Sequence, residues 1–299
     1  MSGLTAIVLG SAAGGGYPQW NCRCPTCLLA WSGDPRVQPR TQASLAVSAD
    51  GESWVLVNAS PDLPQQIRQC KALHPRHDTR GSPIKAVVLT GAEIDQVAGL
   101  LSLREREPFT LIATTATLDA LSDNSMFDVL TPALVGRQAT AAGEALALPG
   151  GLRANMFTVP GKIPLYREGG ATEAASDSNV GLELEAGGAR IAYVPSAVSL
   201  TASMLERLAR ADVVLFDGTL YRDDEMIQTG AGAKTGRRMG HMPIDGSEGS
   251  LAGLGAIAAR RIFVHINNTN PILVDGSPER LLVEHSGWEV AEDGLEIVL

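Results

Sequence analysis

Two hairpins set the frame for what this chain can fold into. The stretch SLAVSADGESWVLVNAS, Ser44 to Ser60, has two β-rich arms around the turn formers Asp50-Gly51, and NVGLELEAGGARIAYVPS repeats the plan around Gly187-Gly188. An opening run, TAIVLG, precedes the first hairpin. IKAVVLT from Ile84 and TLIATT from Thr110 follow it, while ADVVLFDGT, RIFVHINNT and LEIVL follow the second. Helical patterns lie between them. SPDLPQQIRQC reads as a Ser60 cap with Pro61 at the first helical position and Asp62 in the first turn; SLTASMLERLARAD has apolar residues at helical spacing; DGSEGSLAGLGAIAARR feeds the strand at Ile262. Hairpins opening each half and β-α-β alternation closing it predict two similar half-sheets face to face, with helices outside. No linker is rich enough in Gly, Pro or Ser to split the 299 residues, so a single domain is expected.

With 44% apolar and 19% charged residues, the chain can bury a large core. Its net charge of -9, and the absence of any Lys/Arg run with interleaved aromatics, exclude a phosphate-tracking role, so nucleic acid is not expected as a partner. The amino terminus has no basic segment, and AIVLG is too short for a signal sequence or for a membrane span of about 20 residues. A cytoplasmic protein is expected.

In that compartment the stretch PQWNCRCPTCLLAW stands out, because it places three of the four cysteines, Cys22, Cys24 and Cys27, within six positions. Disulfides are disfavoured in a reducing cytosol, and Cys22 and Cys24 are too close for an easy bridge. Arg23, Pro25 and Thr26 make the turn polar, which argues against three thiols packed as small hydrophobes. One loop offering three soft ligands needs one more for a closed tetrahedral zinc site. Structural Zn²⁺ is therefore expected, with the fourth ligand open among His265, Asn268, His285 and Cys70; Cys70 alone reads as a buried apolar residue.

Acids and imidazoles gather where strands end. VVLTGAEIDQVAGL carries Glu93 and Asp95 out of a buried strand, VVLFDGTL puts Asp217 at a strand end, and IFVHINNTNP puts His265 in or after another. Ligands of α/β proteins collect at such ends, and oxygen with imidazole suits Fe, Mn or Zn. His241 follows the Gly-rich TGAGAKTGRRMGH, a loop of the kind that closes over a site, where it would serve as acid/base or added ligand. His74 and His77 read as solvated. Gly14-Gly15-Gly16 forms no GxGxxG fingerprint.

Taken together, LGSAAGGGYPQWNCRCPTC, NASPD, LFDGTL, TGRRMGH and HINNTNP resemble the B-protein family of pyrroloquinoline quinone (PQQ) biosynthesis, a branch of the metallo-β-lactamase superfamily, over nearly the whole chain. The resemblance implies an αββα sandwich of two mixed sheets flanked by helices. The superfamily signature His-x-His-x-Asp-His falls on Gly91, Glu93, Asp95 and Gln96, and only Asp95 matches. Gln96 departs even from the Asp-His pair that the family keeps. Asp217 falls at the metal-bridging aspartate, His265 at the last metal ligand, and His241 at the histidine that assists catalysis in related nucleases. Without the early histidines one of two usual metal positions is lost, and a dinuclear hydrolase is not expected. The resemblance implies a mononuclear site at Asp95, Asp217 and His265, with His241 nearby. It further implies Fe²⁺-dependent, oxygen-using hydroxylation of the tyrosine moiety of the Glu-Tyr PQQ precursor. The alternative is a non-catalytic carrier of PQQ or its precursor towards the periplasm. Other proteins of that pathway, and a second copy in a homodimer, are conceivable partners.

Overall fold

A computed structural model describes residues 3–76, 79–162 and 177–299, so His77 lies outside the described residues. The first sheet holds β1 (Thr5–Gly10), β2 (Ser44–Ser48), β3 (Trp54–Val57), β4 (Ile84–Val88), β5 (Phe109–Ala113) and β6 (Val135–Ala139). The second holds β7 (Ala145–Ala147), β8 (Arg153–Thr158), β9 (Val180–Ala186), β10 (Ala189–Val194), β11 (Val213–Asp217), β12 (Arg260–Val264) and β13 (Trp288–Val290), while β14 (Glu296–Val298) returns to the first. The strand orders are β14-β1-β2-β3-β4-β5-β6 and β13-β12-β11-β10-β9-β8-β7. In each sheet the hairpin is antiparallel and the strands after it run parallel. The second hairpin is the tighter one. Ala186 pairs with Ala189, leaving Gly187 and Gly188 as a two-residue turn with φ of 61° and 92°. Both values are left-handed, as the twist-matched turn requires and as glycine alone adopts without cost.

Side-chain alternation makes the layers. Ala6 and Val8 of β1, Leu45 and Val47 of β2, and Ile191 and Tyr193 of β10 face the core between the sheets. Ile7, Leu9 and Ala46 face outward beneath helices with Leu63, Val97 and Leu121, and Ala192, Val194 and Phe263 face the opposite helical layer with Met204 and Val283. A one-residue slip would turn each of these sets to the wrong layer. Each buried Leu or Val contributes about 1.5–3 kcal/mol, so the register is strongly fixed. The architecture is an αββα sandwich of two mixed sheets.

The helices are α1 (Pro25–Trp31), α2 (Leu63–Gln69), α3 (Ile94–Val97), α4 (Thr115–Ser122), α5 (Ala202–Leu208), α6 (Glu225–Gln228), α7 (Gly236–Met239), α8 (Ser250–Gly253) and α9 (Pro278–His285). Two differ from expectation. α2 starts at Leu63 with Pro64 in its first turn, because Asp62 turns away: its Oδ2 accepts Gln42 N and Nε2, each at 2.9 Å. The helix expected before Arg260 is a single turn, since Gly253 and Gly255 each weaken its continuation by about 1 kcal/mol. No described helix is long and apolar enough to cross a membrane.

Candidate active site

Asp217 closes β11, His265 follows β12, and Asp95 lies in α3 just beyond β4, so strand ends of both sheets deliver the three side chains to one place. Asp217 is fully buried. Its Oδ2 accepts Ala197 N at 2.9 Å, and its Oδ1 accepts Thr219 N at 3.0 Å and Thr219 Oγ1 at 2.6 Å. His241 Nδ1 lies 2.8 Å from Asp217 Oδ2, and His265 Nε2 lies 2.9 Å from Asp95 Oδ2. The two imidazoles stack at 5.2 Å. Donor atoms of Asp217, His241 and His265 all fall within 4.8 Å of one another, while Asp95 joins them through His265. His241 is thus already seated on Asp217, because the short α7 and its left-handed Gly240 cap turn the chain inward.

Thr219 went unmarked in the sequence, yet it is the hub. Its Oγ1 lies 3.0 Å from His241 Nδ1, 2.8 Å from His265 Nδ1 and 2.9 Å from the His265 carbonyl. A hydroxyl has one proton and two lone pairs, so it can fix the orientation of both rings. His265 itself has φ of 56°, a left-handed backbone that a histidine adopts only when its surroundings hold it there. Burial opposes charge on His265 and Asp95 alike. Their mutual hydrogen bond and attraction outweigh it, lowering the Asp95 pKa and raising that of His265.

The cluster opens into a cavity of about 390 Å³ walled by Gly14, Gln96, Lys162, Lys234, Met239 and Asn267. A larger groove of about 690 Å³ runs outside β1 beside α2, but neither cluster of metal-binding side chains found among the described residues opens there. Volume alone does not mark the site.

The second cluster is Cys22, Cys24 and Cys27. All are free thiols, and Asn268 Nδ2 sits 3.1, 3.6 and 3.3 Å from their respective Sγ atoms. Of the four residues open as a fourth partner, only Asn268 reaches the sulfurs in the contacts of the described residues. His265 bonds Asp95, His285 ends α9 with Nδ1 on Leu281 O at 2.6 Å, and Cys70 packs beside the outer layer of the first sheet. Burial pushes the Cys27 thiol up to about 12, whereas hydrogen bonds from Thr26 and its neighbours outweigh burial at Cys24 and hold it below the ordinary range.

A model described as the beta-lactamase superfamily domain matches residues 53–266. Coenzyme PQQ synthesis protein B of a Methylobacterium species is 55% identical over 299 residues, 99% of this chain and 100% of that protein. The corresponding protein of Xanthomonas oryzae pv. oryzae is 52% identical over 300 residues, 99% of this chain and 100% of that one. The chain belongs to the coenzyme PQQ synthesis protein B family. The crystal structure of zinc-bound PqqB from Methylobacterium extorquens matches with a TM-score of 0.96 at 53% identity, covering 99% of this chain and 100% of that one. A diphosphatase of the PhnP family shares the fold, with a TM-score of 0.70 at 22% identity over 99% of this chain and 97% of its own.

Within the PQQ synthesis protein B fold, Gln96 has a structural occupation. Its Oε1 accepts Glu93 N at 3.2 Å and its Nε2 lies 3.4 Å from Thr90 Oγ1, so the amide caps the start of α3 beside Asp95. Another feature of this family member, Glu225, carries no sequence mark, because its burial comes from contacts far along the chain. Burial raises its pKa from 4.5 to about 7, against the lowering effect of hydrogen bonds from Thr269 Oγ1 and Tyr221 N. Between those pH values the folded protein keeps a proton that the unfolded chain has lost, so stability falls as pH rises from about 4.5 to 7 and is level above. The loss is about 3 kcal/mol. Glu225→Gln, which keeps an acceptor for Tyr221 N, should match the parent in urea unfolding near about pH 4.5 and exceed it by about 2–3 kcal/mol at about pH 8. Equal stability at both values would refute the assignment.

Proposed function

We propose that this chain is a mononuclear non-haem Fe²⁺-dependent hydroxylase that uses oxygen on the tyrosine moiety of the Glu-Tyr-derived PQQ precursor, and that its cysteine loop holds a structural Zn²⁺. One observation carries the reading: two imidazoles that line a cavity stand within 4.8 Å of each other and of a carboxylate buried behind them. Two histidines and one carboxylate are the donor set suited to non-haem iron with positions left open, and the buried carboxylates of Asp95 and Asp217, which bond His265, His241, Thr219 and a backbone amide, fit a cation. His241, His265 and Asp217 would hold the ion, with Asp95 orienting His265 or completing the set. When bound, iron supplies the reaction with dioxygen that no side chain offers. One oxygen atom enters the substrate and the other leaves as water, which requires two electrons from an added reductant such as ascorbate. The thiolate trio suits zinc instead, and Asn268, turned to present Oδ1, would close that site.

Gln96 is the observation that favours the second reading, a binding protein that hands on PQQ or its precursor, because an amide stands where the family pattern has an imidazole ligand. Gln96→His separates the two. In the hydroxylase reading the new imidazole beside Asp95 raises Fe²⁺ affinity and the yield of precursor that gains one oxygen atom, despite loss of a cap worth about 1 kcal/mol. The measurement is anaerobic Fe²⁺ titration, then exposure to oxygen with reductant and mass spectrometry. Precursor binding without product, in parent and variant alike, would favour the carrier.

A further inference from the structure

The charges around the cavity are arranged in two tiers. Asp95 lies at its floor with the two histidines and Asp217 is buried behind them, whereas Lys162 and Lys234 are the Lys or Arg side chains that line it among the described residues. In a chain of net charge -9 such cations on a cavity wall are a local exception. Lys162 is also placed with care. Its Cγ would lie 2.9 Å from a Cβ on Gly240, so its stem crosses the residue before His241, and glycine there serves both this passage and its φ of +100°. Its Nζ stands 3.4 Å from Glu93 Oε1, with both side chains a little over a quarter exposed. A separation of 3.4 Å is long for such a pair, which leaves room for a ligand carboxylate to take the place of Glu93. Lys234 lines the same cavity from the segment two residues before α7.

A cationic ligand would be repelled by the lysines, and a neutral one would gain nothing from them. We propose that Lys162 and Lys234 determine specificity by taking carboxylate groups of an aromatic polycarboxylate, Lys162 exchanging Glu93 for the ligand, so that the ring end faces His241, His265 and Asp217. This rests on reading the same cavity as the precursor site.

The test uses full-length, metal-loaded protein and two probes, PQQ, a tricarboxylate, and its trimethyl ester, with affinity read by calorimetry. Lys162→Met and Lys234→Met should each weaken PQQ about 10-fold, and the double variant about 100-fold, as expected for loss of charge-assisted bonds. The ester should bind all variants equally, and bound metal should not change. Glu93→Gln removes the competitor of Lys162 and should tighten PQQ several-fold, a gain that a merely structural role would not produce. PQQ affinity in the parent should fall as salt rises from about 0.05 to 0.5 M. Unchanged affinity in the double variant, an equal loss for the ester, or no binding of PQQ by the parent would each overturn the proposal. Lysine-dependent binding without oxygen-dependent product would sink the hydroxylase and leave the lysines' role standing; product with lysine-independent binding would do the reverse.

Discussion

Asp217→Asn is expected to lower metal affinity at the histidine centre by more than about 100-fold and to abolish oxygen-dependent turnover, with the fold retained. Removing a supporting partner of a ligand already costs about 10–100-fold, and this change removes the charge of a ligand itself. Asparagine keeps the shape of the side chain. With Oδ1 still accepting Thr219 N and Oγ1, however, its Nδ2 would face Ala197 N, a donor against a donor in a fully buried site. That mismatch costs about 1–3 kcal/mol, within what a domain of this size tolerates. Anaerobic metal titration with circular dichroism as the fold control decides it, and parental affinity in the variant would remove Asp217 from the ligand set.

Cys24→Ser should release about one zinc per chain and lower the melting temperature. Cys24 is buried between Cys22, Thr26 and the Asn268 carbonyl, so its loss leaves a three-ligand site that cannot close. Zinc held at about a thousand-fold above its dissociation constant adds about 4 kcal/mol to stability, which corresponds to roughly 10 °C for a large domain. Metal analysis and calorimetry measure both effects. Full zinc content with an unchanged melting temperature would exclude a structural zinc at the loop.

Much of the sandwich can be read from the chain because β2, β3, β9 and β10 are apolar runs between turn formers, and β4, β11 and β12 are buried strands punctuated by glycine or acid. The edges are another matter. β6 (VGRQA), β7 (ALA) and β13 (WEV) are short or partly exposed, and pairing with a neighbour, not their own pattern, makes them strands. At the site, Asp95, Asp217 and His265 carry a local mark, an acid or imidazole just past a hydrophobic run. Thr219 carries none, and Asn268 was one of four open candidates beside the thiols, because the roles of both arise only when segments distant in sequence meet. Whether His241 lay at the surface or inside depended in the same way on a loop that returns across 24 residues to Asp217.

His265 and Asn268, three residues apart, serve the two clusters, and β14 pairs with β1 at the far end of the chain. This has a consequence for synthesis on the ribosome. The thiols of residues 22–27 emerge long before their partner Asn268 and the second imidazole, His265. Neither cluster is whole before His265 has been made, and β1 gains its outer neighbour, β14, later still. The two clusters would therefore be completed together, in one late interval after β1 to β12 have been made.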